Sequence, residues 1–226
     1  SMTDARGNTW RYTYNKNGQL LSTTDPTGGI RFNSYNSVGR TVSGTDANGN
    51  TTTYAYDGVG NLTKITDALG MSTISKYDAN GNLISSTDRN GNETTYAYDA
   101  ENRLVRTVDA EGNTTIYTYD VLGRMTATVS AMGSETVSTY DEVGRLLSAT
   151  DALGHVTGYE YDALGRATKI SYADGSSVSY TYNASGQVLT AANELGNVIS
   201  YAYDANGQLI SMTDAMGGIT VYAYDP

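Results

Sequence analysis

The chain has 226 residues and no cysteine, and its 14 Lys and Arg against 24 Asp and Glu give a formal net charge of −10. The lack of cysteine excludes disulfides, thiolate metal sites and a cysteine nucleophile. The acidic balance, without any basic cluster, argues against nucleic-acid binding. No apolar run approaches the roughly 20 residues that a membrane-spanning helix needs, so we expect no membrane insertion, and the segment shows no targeting signal.

Composition predicts an all-β fold. The chain has 25 glycines, 20 tyrosines and a single phenylalanine. Much of the remainder is Thr, Ser, Asn and Asp, so residues that favour strands alternate with residues that favour turns.

A tyrosine followed by Asp or Asn recurs every 21 residues along the whole chain. Such a period indicates a repeat architecture. The repeated tyrosines are Tyr14, Tyr35, Tyr56, Tyr77, Tyr98, Tyr119, Tyr140, Tyr161, Tyr182, Tyr203 and Tyr224.

Two glycine columns keep the same period, and in one of them Asn102 is the single departure. Glycine, and next to it asparagine, tolerates a positive φ, so both columns predict tight turns. The segments Asp57–Gly60 and Asp67–Gly70 fit a type I turn followed by a bulge, with Asp first and Gly fourth. We predict structural turns at Gly28, Gly49, Gly60, Gly70, Gly81, Gly91, Gly112, Gly144 and Gly165.

About six residues remain between successive turns, which predicts short antiparallel strands. In the strand before Asp57, Tyr54 and Tyr56 alternate with Thr53 and Ala55, so both rings project from one face. The strand after it, from Leu62, keeps no alternation, and its buried face stays open. We predict tyrosine ladders, with stacked rings holding successive hairpins together, at Tyr54, Tyr56, Tyr77, Tyr96, Tyr98, Tyr117, Tyr119, Tyr140 and Tyr161.

The unit YAYDGVGNLTKITDALG, residues 54–70, resembles the YD or Rhs repeat of bacterial Rhs and wall-associated polymorphic toxins, insecticidal toxin complex shell proteins and teneurins. The resemblance covers essentially the whole chain. It implies a long antiparallel meander of hairpins that curls into a spiral or partial shell. It also implies a secreted or cell-surface bacterial protein whose repeats enclose or display a C-terminal toxin or effector domain.

Several repeats depart from the pattern locally. Asn33, Ser75 and Ser138 replace the first tyrosine, and Ser130 and Tyr172 replace the Asp of the second turn. We expect residues 1–226 to be a single array of about eleven repeats, excised from a longer protein and without caps. Its unprotected edge strands would favour self-association.

No constellation for catalysis or metal binding stands out. The sole histidine, His155, follows a turn glycine where other repeats carry asparagine, which favours a turn variant. The Asp rows fit turn capping better than cation binding. No histidine is placed to activate a particular Ser or Thr. We therefore expect no enzyme, no metal and no cofactor.

Two functions remain open. The first is a structural shell or scaffold segment that encloses or displays a C-terminal payload domain of the parent chain. The alternative is a cell-surface adhesin module that binds carbohydrate or a partner protein through exposed tyrosine columns.

Overall fold

The computed structural model describes residues 1–225 and contains 22 β-strands, with no helix among those residues. Its contacts divide the chain into two compact units, which meet in sequence between Thr115 and Ile116. The strands of the first unit are β1 Met2–Thr3, β2 Thr9–Tyr14, β3 Leu20–Thr24, β4 Ile30–Tyr35, β5 Thr41–Thr45, β6 Thr51–Tyr56, β7 Leu62–Thr66, β8 Ser72–Tyr77, β9 Leu83–Thr87, β10 Glu93–Tyr98 and β11 Leu104–Val108.

The second unit repeats the same scheme, and its first strand begins two residues before the boundary. Its strands are β12 Thr114–Tyr119, β13 Met125–Val129, β14 Glu135–Tyr140, β15 Leu146–Thr150, β16 Val156–Tyr161, β17 Ala167–Ser171, β18 Ser177–Tyr182, β19 Val188–Asn193, β20 Val198–Tyr203, β21 Leu209–Thr213 and β22 Ile219–Val221. Within each unit, consecutive strands pair antiparallel. The predicted all-β meander of hairpins is therefore confirmed.

Two kinds of turn alternate along the chain. The YD turns follow the repeated tyrosine and join a six-residue strand to the next strand, as at Asp57–Gly60. The TD turns lie at the opposite end of the strands, as at Asp67–Gly70. In both, the N–H of the glycine donates to the carbonyl of the first residue, at 3.2 Å for Gly60 and 3.0 Å for Gly70. This is the hydrogen bond that the turn pattern predicts.

A β-bulge explains the strand that the sequence left unassigned. Ala55 pairs with Lys64, but Tyr56 pairs with Leu62, so Thr63 is an extra residue on β7. The same register shift recurs in the neighbouring YD hairpins, whereas the TD pairing of β7 with β8 is regular. The extra residue interrupts the alternation along β7.

The hairpins pack without a conventional apolar core. Among residues 1–225, no hydrophobic side chain is buried, and the single buried polar residue is Ser85, at 5% exposed. In β6 the side chains of Tyr54 and Tyr56 are half-buried, and Thr53 and Ala55 between them are exposed. One face of this hairpin therefore carries the half-buried tyrosines, and we call the corresponding face of every repeat the tyrosine face.

Candidate functional site

The nine glycines predicted to form turns all have φ between +82° and +107°. At Asn102, which stands in a glycine column, φ is +61°, in the left-handed region that asparagine tolerates. Among described residues other than glycine, Asn102 is the sole one with a positive φ.

The first residue of a turn caps it with its side chain, except in the turn that begins at Tyr172, where Asp174 caps instead. Asp46 Oδ1 accepts the N–H groups of Asn48 and Asn50, both at 2.9 Å, and Asp46 Oδ2 accepts the Asn50 side-chain amide at 2.9 Å. The bond from the Asn50 amide is the strongest of the effects that hold the pKa of Asp46 below its usual value. The carboxylates in the rows are therefore occupied by their own turns.

The repeated tyrosines connect adjacent hairpins through their hydroxyls. Tyr56 donates to the carbonyl of Thr41 at 2.9 Å, and Tyr161 donates to the carbonyl of Leu146 at 2.8 Å. Both acceptors lie fifteen residues earlier, at the start of the short strand of the preceding hairpin. The same bond, at 2.5 to 3.2 Å, is made by Tyr35, Tyr77, Tyr98, Tyr140, Tyr182, Tyr203 and Tyr224.

Arginines reinforce this connection in several YD turns. Arg145 Nε donates to Asp141 in its own turn at 2.5 Å, and Arg145 Nη1 donates to the carbonyl of Asp162 in the next turn at 3.0 Å. The same guanidinium lies 4.9 Å from the ring centroid of Tyr161. One side chain thus contacts the carboxylate of its own turn and both the ring and the backbone of the next hairpin. Sequence reasoning missed this role because it depends on which turn lies alongside.

The face opposite the tyrosines carries cross-strand hydroxyl pairs, which the sequence analysis also missed. Near the YD turns, Thr13 pairs with Ser22 at 2.7 Å, and near the TD turns, Thr66 pairs with Ser72 at 2.9 Å. Such pairs stabilise neighbouring strands. The abundance of Ser and Thr is the sequence signal for such pairs. Which residues pair, however, depends on the register of the neighbouring strands.

Departures from the first tyrosine position fall opposite other small residues. Asn33 pairs with Gly44, Ser75 with Ser86, and Ser138 with Ala149. A cavity of ≈ 540 Å³ opens at Asn33 and one of ≈ 110 Å³ at Ser138. Both of these cavities lie where a smaller side chain replaces the first tyrosine.

His155 lies in a TD turn, as the sequence predicts. Its N–H donates to Asp151 Oδ1 at 2.9 Å, and its ring Nδ1 lies 3.0 Å from Asp151 Oδ2. Across residues 1–225, no three His, Cys, Asp or Glu side chains are grouped to hold a metal ion. The described part of the chain contains no helix long and apolar enough to cross a membrane.

The geometry defines a class of protein: a scaffold of 21-residue β-hairpin repeats, joined by tyrosine hydroxyls and capped by aspartates. The Teneurin YD-shell family model matches residues 40–169 and 90–226, and the RHS Repeat model matches residues 1–30. The chain therefore belongs to the YD-shell family of Rhs-type repeat proteins.

Solved structures show the same fold. The crystal structure of TcdB2-TccC3-Cdc42 matches with a TM-score of 0.50 and 18% identity, over 91% of this chain and 14% of that chain. The crystal structure of TcdB2-TccC3 without its hypervariable C-terminal region matches with a TM-score of 0.50 and 19% identity, over 94% of this chain and 16% of that chain. This chain thus spans only 14% and 16% of the length of these two solved chains. No curated protein matches it.

Proposed function

We propose that this chain is a wall segment of a shell that encloses or displays a C-terminal payload domain of its parent protein. The observation that carries the proposal is the membership of the YD-shell family, because the family model covers most of the chain. The matched TcdB2-TccC3 crystal structures support it by fold. One of those proteins has a hypervariable C-terminal region, which is the position that we propose for the payload. A shell of this kind acts at the cell surface or after secretion.

The hydrogen bonds suit a wall. Most turns are capped by the side chain of their own first residue, and most of the repeated tyrosines donate to the hairpin before them. A wall built from such neighbour links extends repeat by repeat, without helices to cover it. The Asp carboxylates and tyrosine hydroxyls that could otherwise serve a substrate are already occupied in most repeats.

Small-angle X-ray scattering of the purified chain, with its mass measured in the same experiment, tests the wall. We expect a curved profile, because a twisted sheet with many strands curls. A thin, straight rod would contradict the wall. It would favour an adhesin stalk, whose binding a glycan array with Tyr-to-Ala variants would then measure.

A further inference from the structure

The tyrosine face of the first unit lacks one complete cross-strand pair. Tyr12 pairs with Thr23 in one hairpin, and Tyr54 pairs with Ile65 two hairpins later. Between them the same position holds Asn33 opposite Gly44. An aromatic ring and the side chain facing it are both missing there, and we call this gap the Asn33–Gly44 vacancy.

The vacancy is a cleft of ≈ 540 Å³. It is shallow and opens widely to solvent. Its walls include a ring, a cation, two amides and a hydroxyl, contributed by Tyr54, Arg31, Asn33, Asn50 and Thr23. The vacancy at Ser138 is smaller, ≈ 110 Å³, and no arginine lines it.

The vacancy carries charge of both signs, because Arg31 and the carboxylate of Asp46 both line it. Arg31 occupies a position that holds threonine in the next two repeats, as Thr52 and Thr73. Its positive charge contributes to the lowered pKa of both Asp25 and Asp46, so two carboxylates already share its field. Those carboxylates would repel an anionic ligand, whereas a neutral ring carries no net charge for them to repel.

Elsewhere in the molecule, tyrosines are held by the same kinds of group that line this vacancy. Arg40, in the same unit, lies over the ring of Tyr56 at 5.7 Å from its centroid, and the hydroxyl of Tyr56 donates to a carbonyl oxygen. At the vacancy, Arg31 offers a guanidinium. Asn33 donates its amide N–H to the carbonyl of Leu20 at 3.2 Å. Its Oδ1 accepts no hydrogen bond among residues 1–225 and lies 3.7 Å from where a Cβ on Gly44 would be.

We propose that the Asn33–Gly44 vacancy binds the phenolic side chain of a tyrosine on a partner polypeptide. The ring occupies the missing position of the row between Tyr12 and Tyr54. Arg31 stacks on that ring, and the hydroxyl donates to Asn33 Oδ1. This inference goes beyond the shell role and does not depend on it.

The test is an amide-resolved NMR titration of the full chain with N-acetyl-tyrosine amide, using N-acetyl-alanine amide as the matched probe without a ring. We expect saturable shifts at Asn33, Gly44 and Tyr54 with the first probe, and none at Ser138 or with the second probe. Arg31→Thr should weaken binding about two- to fivefold, the fold-change that a partly exposed cation–π contact supplies. Arg106→Thr, on the opposite face, should leave it unchanged.

Filling the vacancy supplies the decisive variant. Asn33→Tyr with Gly44→Thr creates a Tyr–Thr pair like that of Tyr12 and Thr23 and should abolish the shifts. Ser138→Tyr fills a different vacancy and should preserve them. Gly44→Val, whose Cβ has room, serves if the double variant does not fold. The proposal is overturned if no shifts occur, if they persist in a filled variant, or if methyl glucoside shifts these amides and the tyrosine probe does not.

Discussion

Two YD turns that carry the same repeat, one at Asp141 in the second unit and one at Asp57 in the first, close differently. In the second unit, Arg145 binds Asp141 in its own turn and also reaches Tyr161 and the backbone of the next turn. In the first unit, Asn61 donates to Asp57 of its own turn at 3.0 Å. The comparison teaches that turn capping and hairpin coupling are separate properties. Asparagine is enough to cap the turn, and arginine also couples the turn to the next hairpin.

The length of the tyrosine bond does not follow this difference. Tyr140, under Arg124, donates to the carbonyl of Met125 at 3.0 Å, and Tyr98, which follows Asn82, donates to the carbonyl of Leu83 at 2.9 Å. The arginine therefore adds contacts of its own and does not shorten the tyrosine bond.

The largest expected effect is at the turn glycines. Gly60→Val should lower the free energy of unfolding by about 1 to 3 kcal/mol, because valine is strained at φ +107°. In addition, a Cβ on Gly60 would overlap the guanidinium of Arg40, whereas one on Gly144 lies 3.8 Å from Arg124. Gly144→Val should therefore cost less. Urea unfolding measures both, with the 83% exposed Val59 changed to Thr as the control. Equal losses at Gly60 and Val59 would refute the turn assignment.

Exchanging the turn partners tests the comparison directly. Arg145→Asn should destabilise the second unit by about 1 to 2 kcal/mol, because it removes a charged hydrogen bond and a ring contact. The reverse change, Asn61→Arg, should stabilise the first unit by a smaller amount. Arg145→Lys keeps the charge but loses the planar fork, so it should restore only part of the loss. Unchanged stability in Arg145→Asn would show that these contacts do not couple the hairpins.

Removing one hydroxyl should have a somewhat smaller effect. Tyr161→Phe should cost about 1 kcal/mol, since it removes the bond to the carbonyl of Leu146. Tyr14 is 58% exposed, and its hydroxyl makes no hydrogen bond within residues 1–225. Tyr14→Phe should therefore change the unfolding midpoint little. Similar losses in both variants would argue against the hydroxyl link.

The smallest effect per turn should appear in acid. The Asn hydrogen bonds that cap Asp46, Asp88 and Asp109 lower the pKa of each carboxyl. A folded pKa below the unfolded value adds stability that is complete above about pH 4 and is lost as pH falls through the folded pKa. Thermal unfolding between neutral pH and acid should show this loss.

The chain supplies its own control for the acid effect. Asn193 caps a TD turn by accepting the N–H of Asn197 at 2.9 Å. Changing Asp46, Asp88 and Asp109 to Asn should therefore keep the turns but flatten the dependence of stability on pH. An unaltered dependence in this triple variant would assign the acid sensitivity to other groups.

Much of the fold could be predicted because the repeat fixes local conformation. Glycine columns indicate positive φ, and the alternation of Tyr54 and Tyr56 indicates one face, both without any knowledge of partners. The bulge at Thr63 was not predictable, since it depends on how β6 and β7 pair. Nor was the vacancy, which arises only when the register places Asn33 opposite Gly44.

The central claim is that these hairpins are held by links to their neighbours and not by a buried apolar core. Native-state hydrogen exchange of Tyr161→Phe tests it most directly. We predict faster exchange in β15 and β16 and in the hairpins beside them, with residues 51–66 unchanged, as in a chain of nearest-neighbour units. A uniform loss of protection from the first strand to the last would contradict the claim.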